Sequence, residues 1–480
     1  MKRFKRLYVL MGILLAACVV TLAVSQYETY KEDIRNSDEI ILELSPDSVQ
    51  SLSWEYDSQT LAFHREEETW TYDEDAAFPV DQEKIGDLLS LFEQFGVSFI
   101  IEDPEDLGMY GLDDPVCTIN LTLDDEQTYA ITLGDFSTMD SQRYVSIGDG
   151  NVYLVQTDPL DYFDVELRDL IDQDDVPYLT DVQEIRFSGA ETYTVTYEED
   201  NPNAYCEEDR YFTQKDGETL PLDTSRVEEY LNVISYLDLT NYVTYTADDE
   251  MLAQLGLDDP ELVISVDYTE TDEDGNEVAS TFQLSVSRDP EERRAAEEAK
   301  AEADQSDDAQ TDEDSEEEEI TAYVRVGDSK ILYQIPGDKY TALMAASYDD
   351  LRHLEVLPVD FEKMTSLDVT LDGTDYTITV QGDEDDPTYL LGEEEVEFDD
   401  VLSALSGLSA DSFTQEQPTG QEEIRLTVHL DREELPSMEV VLYRYDGSFC
   451  LAQVDGQSVS LVPRSDVVDL IEALNAIVLN

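Results

Sequence analysis

Three histidines, four cysteines and 115 acidic side chains are the groups from which this chain could build a reactive site. His64, His353 and His429 stand far apart, and none belongs to the His-Glu-x-x-His pattern that holds a catalytic zinc. His64 lies in a strand of charged neighbours and His353 on a closing helix beside Arg352, so all three read as structural residues. Cys117, Cys206 and Cys450 are an odd set without short spacing, which points to structural thiols and no disulfide framework. Cys117 alternates with Ile119 and Leu121, as a small buried hydrophobe in a strand does. Carboxylates are so abundant that no pair suited to glycoside hydrolysis stands out. Asp272-Glu-Asp274-Gly275-Asn276 resembles the start of a calcium loop, but its Gly comes fourth where an EF-hand needs it sixth, so it reads as a hairpin turn. There is no Gly-rich phosphate loop and no Gly-x-Ser-x-Gly elbow. The expectation is a non-enzymatic chain with no catalytic residue, metal site or cofactor.

The same acids exclude a class of partners. With 27 Lys+Arg the net charge is −88, and such a surface repels nucleic-acid backbones. Apolar residues make up 41% of 480, including 28 Tyr and 15 Phe, which is enough for real cores in two to four domains. Trp54 and Trp70 fit strand positions, and core packing outweighs a sugar-binding role for them.

Lys2, Arg3, Lys5 and Arg6 precede an uncharged run of 18 residues, Leu7 to Val24. That length just spans a bilayer, and the basic flank keeps the N-terminus cytoplasmic. A single-pass anchor is expected, with the bulk of the chain outside the cytoplasm. The alternatives are a lipoprotein, since Leu15-Ala16-Ala17-Cys18 has the small-residue pattern that precedes a lipidated Cys, and an ordinary cleaved signal peptide.

The elements that must position any site come in copies. Val49-Gln50-Ser51-Leu52 returns as Val182-Gln183-Glu184-Ile185. Pro79-Val80-Asp81 returns as Pro221-Leu222-Asp223, and each leads into an amphipathic helix with its Asp at the N-cap. The apolar stripes are Ile85, Leu88, Leu89, Phe92 and Phe95, then Val227, Tyr230, Leu231, Ile234 and Leu237. Tyr110-Gly111-Leu112-Asp113-Asp114-Pro115 returns as Leu255-Gly256-Leu257-Asp258-Asp259-Pro260, each running into an alternating strand. In both turns the Gly suits positive φ, the Asp side chains can bond back to the turn, and the Pro sets the path into the strand. Leu167-Arg168-Asp169-Leu170 and Leu351-Arg352-His353-Leu354 close the two copies. A third copy lacks the Gly-Leu-Asp-Asp-Pro turn; Val396-Glu397 replaces the cap, and Val401, Ala404, Leu405 and Leu408 form the stripe.

The expected fold is α+β: tandem, mostly antiparallel β-sheet units with two helices each, behind one N-terminal transmembrane helix. Residues 1–26 are the anchor or signal and 27–47 a linker. Residues 48–178 are the first copy, 179–358 the second and 359–480 the degenerate third. Residues 289–319 hold 16 Asp+Glu and 3 Lys+Arg, and read as a solvated, disordered insertion with a helical stretch from Glu291 to Ala303.

The order and spacing of these motifs resemble the bacterial domain-of-unknown-function family 4340, closely over Val49 to Pro177 and more loosely over 180–358. The resemblance implies a membrane-anchored extracytoplasmic protein. Members often sit beside genes for ABC transporters of the gliding-motility type, which implies an accessory role to such a transporter, with its membrane proteins as partners. It implies no catalytic residue. The alternatives are direct capture of wall carbohydrate, peptide or divalent cation and, less favoured, an envelope hydrolase.

Overall fold

The computed structural model describes Thr21 and residues 39–272, 274–303, 320–383 and 386–479. The anchor segment, Cys18 and residues 304–319 of the acidic insertion lie outside the described residues. Among the described residues no helix is long and apolar enough to cross a membrane.

Three β-sheets follow one another along the chain, and every described pairing in them is antiparallel. The first has nine strands. From edge to edge they are Thr69–Tyr72, Gln59–Glu66, Val49–Tyr56, Cys117–Leu123, Thr128–Ser137, Gln142–Ser146, Val152–Val155, Phe95–Ile101 and Glu39–Leu42. Eight of the nine strands of the second sheet run in the order Glu218–Pro221, Tyr211–Lys215, Thr192–Tyr197, Asp181–Ser188, Leu262–Thr271, Glu277–Arg288, Ala322–Val326 and Leu332–Ile335. The third again has nine, from Glu394–Val396 through Asp386–Leu391, Thr374–Asp383 and Met364–Leu371 to Glu422–Leu430. It continues with Ser437–Arg444, Phe449–Val454, Gln457–Pro463 and Ser412–Phe413. The fold is therefore α+β with repeat-like units. In each, a first meander leads to a helix, and a later strand, Cys117–Leu123, Leu262–Thr271 or Glu422–Leu430, returns to lie beside the opening strand.

One local device recurs at that join. The opening strand and its returning partner slip register between Val49 and Ser51, between Val182 and Glu184, and between Met364 and Ser366. In a regular strand, residues three apart face opposite sides. The extra residue, Gln50, Gln183 or Thr365, restores them to one side. Val49 and Leu52, Val182 and Ile185, and Met364 and Leu367 are accordingly all buried. This is why a Val-Gln-x-Leu pattern repeats in the chain.

The helices Gln82–Ser90 and Thr224–Ser235 start at Asp81 and Asp223, whose carboxylates accept from the backbone N–H groups two and three residues on. Both helices are shorter than their apolar stripes. Phe95 opens a strand and Leu237 lies past the helix end, although all stripe residues are buried. The third copy's helix, Asp399–Ser406, has Phe398 at its N-cap with no side-chain hydrogen bond, so Glu397 does not take the capping role.

Two further assignments change. Glu39–Leu42, expected in a linker, is an edge strand paired with Phe95–Ile101, because Leu42 and Leu44 find apolar cover there. The closing motifs align three residues away from the Leu-Arg steps. Glu166 with Asp169, and Ser347 with Asp350, form the same reciprocal capping box. The carbonyls of Leu170 and Leu351 then accept from the backbone N–H of Asp81 and Asp223. His353 thus lies beyond the helix Tyr348–Leu351 rather than on it.

Pro290–Ala303, at the start of the acidic insertion, is an α-helix with Asp289 accepting from the first backbone N–H groups. By contacts the chain divides into two compact units. One is the described chain through Asp174 with Thr240–Thr246; the other is 175–239 with 247–479, and holds the second and third copies.

Candidate functional site

In the first unit, the repeated turn is an anchor with an exposed rim. Leu107–Tyr110 is a single 3-10 turn ended by Gly111 at φ 70, and Leu112 is buried beneath it. In the second unit Gly256 has φ 72, and Leu257 is buried. Asp113, Asp114, Asp258 and Asp259 are exposed, while Pro115 and Pro260 are half-buried at the start of their strands. The side chains that bond back to the backbone are not those Asp pairs. Asp106 accepts from Gly108 N at 3.0 Å, and Asp248 accepts from Met251 N at 2.9 Å. A cap must precede the backbone N–H groups it accepts from, and the Asp pairs follow them.

Around the first turn, large apolar side chains face solvent. Met109 on the turn is 71% exposed and Met139, on the hairpin that follows the turn's neighbouring strand, is 89% exposed. Leu107 and Phe136 are exposed as well, and Tyr110 packs on Tyr144 with ring centroids 5.0 Å apart. Large apolar side chains exposed in this number suit an interaction surface, and Met adapts to irregular partners. Nothing in the sequence singled out Met109 or Met139, because exposure is not readable from one chain.

Within the second unit, the second and third copies are clamped together. Arg432 donates from Nη2 to the Ala204 carbonyl at 3.0 Å and from Nη1 to the Tyr205 carbonyl. Glu207 N donates to Asp360 Oδ2 at 2.9 Å. Beside this clamp opens a crevice of about 450 Å³. Its wall is aromatic and cationic. The Arg352 guanidinium lies 4.9 Å from the Tyr348 ring and 4.3 Å from the Phe413 ring, and Lys215 Nζ lies 4.0 Å from Tyr348. Asp216, Glu218, Asp349 and Asp455 supply the opposite charge. Burial pushes the Tyr205 hydroxyl up to about 12, so it stays a neutral donor.

Deeper in, His353 Nε2 donates to Asp209 Oδ1 at 2.9 Å, and Nδ1 lies 3.8 Å from Glu355 Oε2. Burial opposes a charged imidazole here, but hydrogen bonds to Asp209 and Glu355 and the charges of Asp209 and Asp223 raise its pKa to about 9. The Cys206 thiol donates to the same Asp209 oxygen at 3.2 Å. Cys206 is therefore not paired with the imidazole, and burial followed by the Asp209 charge pushes it up to about 12, the wrong direction for a nucleophile. His64 and His429 bond Asp73 at 2.6 Å and Asp368 at 2.8 Å. Trp54 and Trp70 are buried, and Trp54 stacks on Phe63. Asp272 closes the hairpin turn by accepting from Asn276 N at 2.7 Å.

The family described as "Domain of unknown function (DUF4340)" matches residues 70–260 and again 217–427. The chain belongs to the DUF4340 family. The two DUF4340 matches begin at corresponding points, at the last strand of the first meander in the first and second copies. They run on through the repeated turns and end within the following copy. The comparisons with curated proteins and with solved structures return no match.

Proposed function

We propose that this DUF4340 protein is a non-enzymatic binding and scaffold protein, held at the outer face of the membrane and accessory to an ABC transporter of the gliding-motility type. The observation that carries the binding role is the set of exposed apolar side chains on the repeated turn and on the strand and hairpin that follow, Met109, Phe136 and Met139. The membrane address draws on the apolar run Leu7 to Val24, and the transporter on the family resemblance. Three antiparallel sheets built around the same kind of join offer several surfaces for an extended partner better than one buried reaction site. Crosslinking in intact cells, capture through a C-terminal tag and mass spectrometry test this. Recovery of a permease and its ATPase supports it, and recovery of the protein alone at good yield overturns it.

A second proposed reading is direct ligand capture in the crevice of the second unit. It is favoured by Arg352 between Tyr348 and Phe413, with Lys215 opposite, in a space of about 450 Å³ that suits a short peptide or sugar. A ligand of this kind raises the melting temperature of the wild type and not of R352A.

A further inference from the structure

We infer that Asp223, His353 and Glu355 form a binding site for one divalent transition-metal ion of the zinc class. One donor atom from each lies within 4.8 Å of the others, the one such group of three among the described residues. Donors around a zinc ion at about 2.1 Å stand roughly 3.4 Å apart, so a small swing of the exposed Glu355 side chain completes the set.

The surroundings are built as an outer shell is. Asp209 is buried to 2% exposure and accepts from His353 Nε2, which turns Nδ1 toward Glu355. Its other oxygen accepts from Tyr205 N at 2.7 Å and Cys206 N at 3.3 Å, so the carboxylate itself is fixed. Asp223 is held as the N-cap of Thr224–Ser235.

A second, independent observation lies on the open side. His353 and Glu355 line a cavity of about 60 Å³ together with Ser460, whose buried Oγ has no hydrogen-bond partner. That space holds one or two waters, enough for the position that protein donors leave open on the ion. Charge favours the ion too. Asp209, Asp223 and Glu355 surround one imidazole, with Arg226 near Glu355 as an opposing charge and the Tyr205 ring packed beside His353. A dication among these three carboxylates brings the group closer to neutral.

The test uses the full chain, stripped with EDTA and titrated with zinc chloride against a chromophoric chelator, with millimolar calcium covering the acidic surface. The expected result is one tightly bound zinc per chain. Its affinity falls at least tenfold in E355Q and in D223N, whose Asn still caps the helix. E355Q alters an exposed side chain and keeps the test readable if H353Q fails to fold. No stoichiometric zinc in the presence of calcium, or equal affinity in wild type, E355Q and D223N, overturns the site.

Discussion

Nε2 of His353 reaches Oδ1 of Asp209 across 2.9 Å, joining residues 144 positions apart, and the Cys206 thiol donates to the same oxygen. The hydrogen bond pins the segment after Tyr348–Leu351 to the loop that precedes Tyr211–Lys215.

The first prediction concerns pH. The folded pKa of His353, about 9, lies above its ordinary 6.5. The stability it contributes is therefore fully present below pH 6.5 and is lost as pH rises through 9. The interval corresponds to about 3 kcal/mol. Denaturant unfolding of EDTA-treated protein should show this loss between pH 6 and 9.5, and D209N should lose most of the slope. His64, also raised by Asp73 and Glu66, titrates in both proteins and cancels in the comparison. Equal slopes would contradict the assignment.

The second concerns the register slip. Deleting Gln183 removes the bulge and turns Val182 away from the core while Ile185 stays. Exposing one large aliphatic side chain and losing its packing costs about 2–4 kcal/mol. Q183A, which keeps the backbone count, should cost under about 1 kcal/mol. Urea midpoints of the two variants decide it, and similar midpoints would mean that the extra residue does not set the facing.

That bulge also marks how far the chain could be read. The Val-Gln-x-Leu copies, the alternation in Cys117–Leu123 and the capping Asp81 and Asp223 were legible because each depends on neighbours within a few residues. The pairing of Val49–Tyr56 with Cys117–Leu123 was not, since nothing local says which strand returns to which. The site was hidden for a related reason. Among the acids of the described residues, Asp209 stands out only by being buried against His353, and burial arises from the fold. The Leu-Arg steps misled because a chance dipeptide outweighed the true equivalence of Asp169-Leu170 with Asp350-Leu351.

The third prediction contrasts two glycines. An added Cβ on Gly111, at φ 70, comes within 2.8 Å of the Asp135 backbone nitrogen, whereas Gly86 in a helix has open space around it. G111A should destabilise by about 1–3 kcal/mol, and G86A should stabilise by up to about 1 kcal/mol. Thermal melts of both variants measure the contrast; a neutral G111A would show that the turn relaxes freely.

The fourth concerns thiols. Burial pushes Cys117 and Cys206 up to about 12 and Cys450 up to about 11. At pH 8 all three should resist iodoacetamide in the native protein and react fully in guanidinium, as read by peptide mass spectrometry. Rapid native labelling of Cys206 would reopen a nucleophilic role beside His353.

The most direct measurement places a photo-crosslinking amino acid at Met139, on the exposed rim, and at Gln415 in the crevice, then irradiates intact cells. The expected result is an adduct from position 139 that contains a transporter permease. No membrane-protein adduct from position 139, with a low-mass adduct from position 415 instead, would contradict the scaffold role and leave ligand capture as the function.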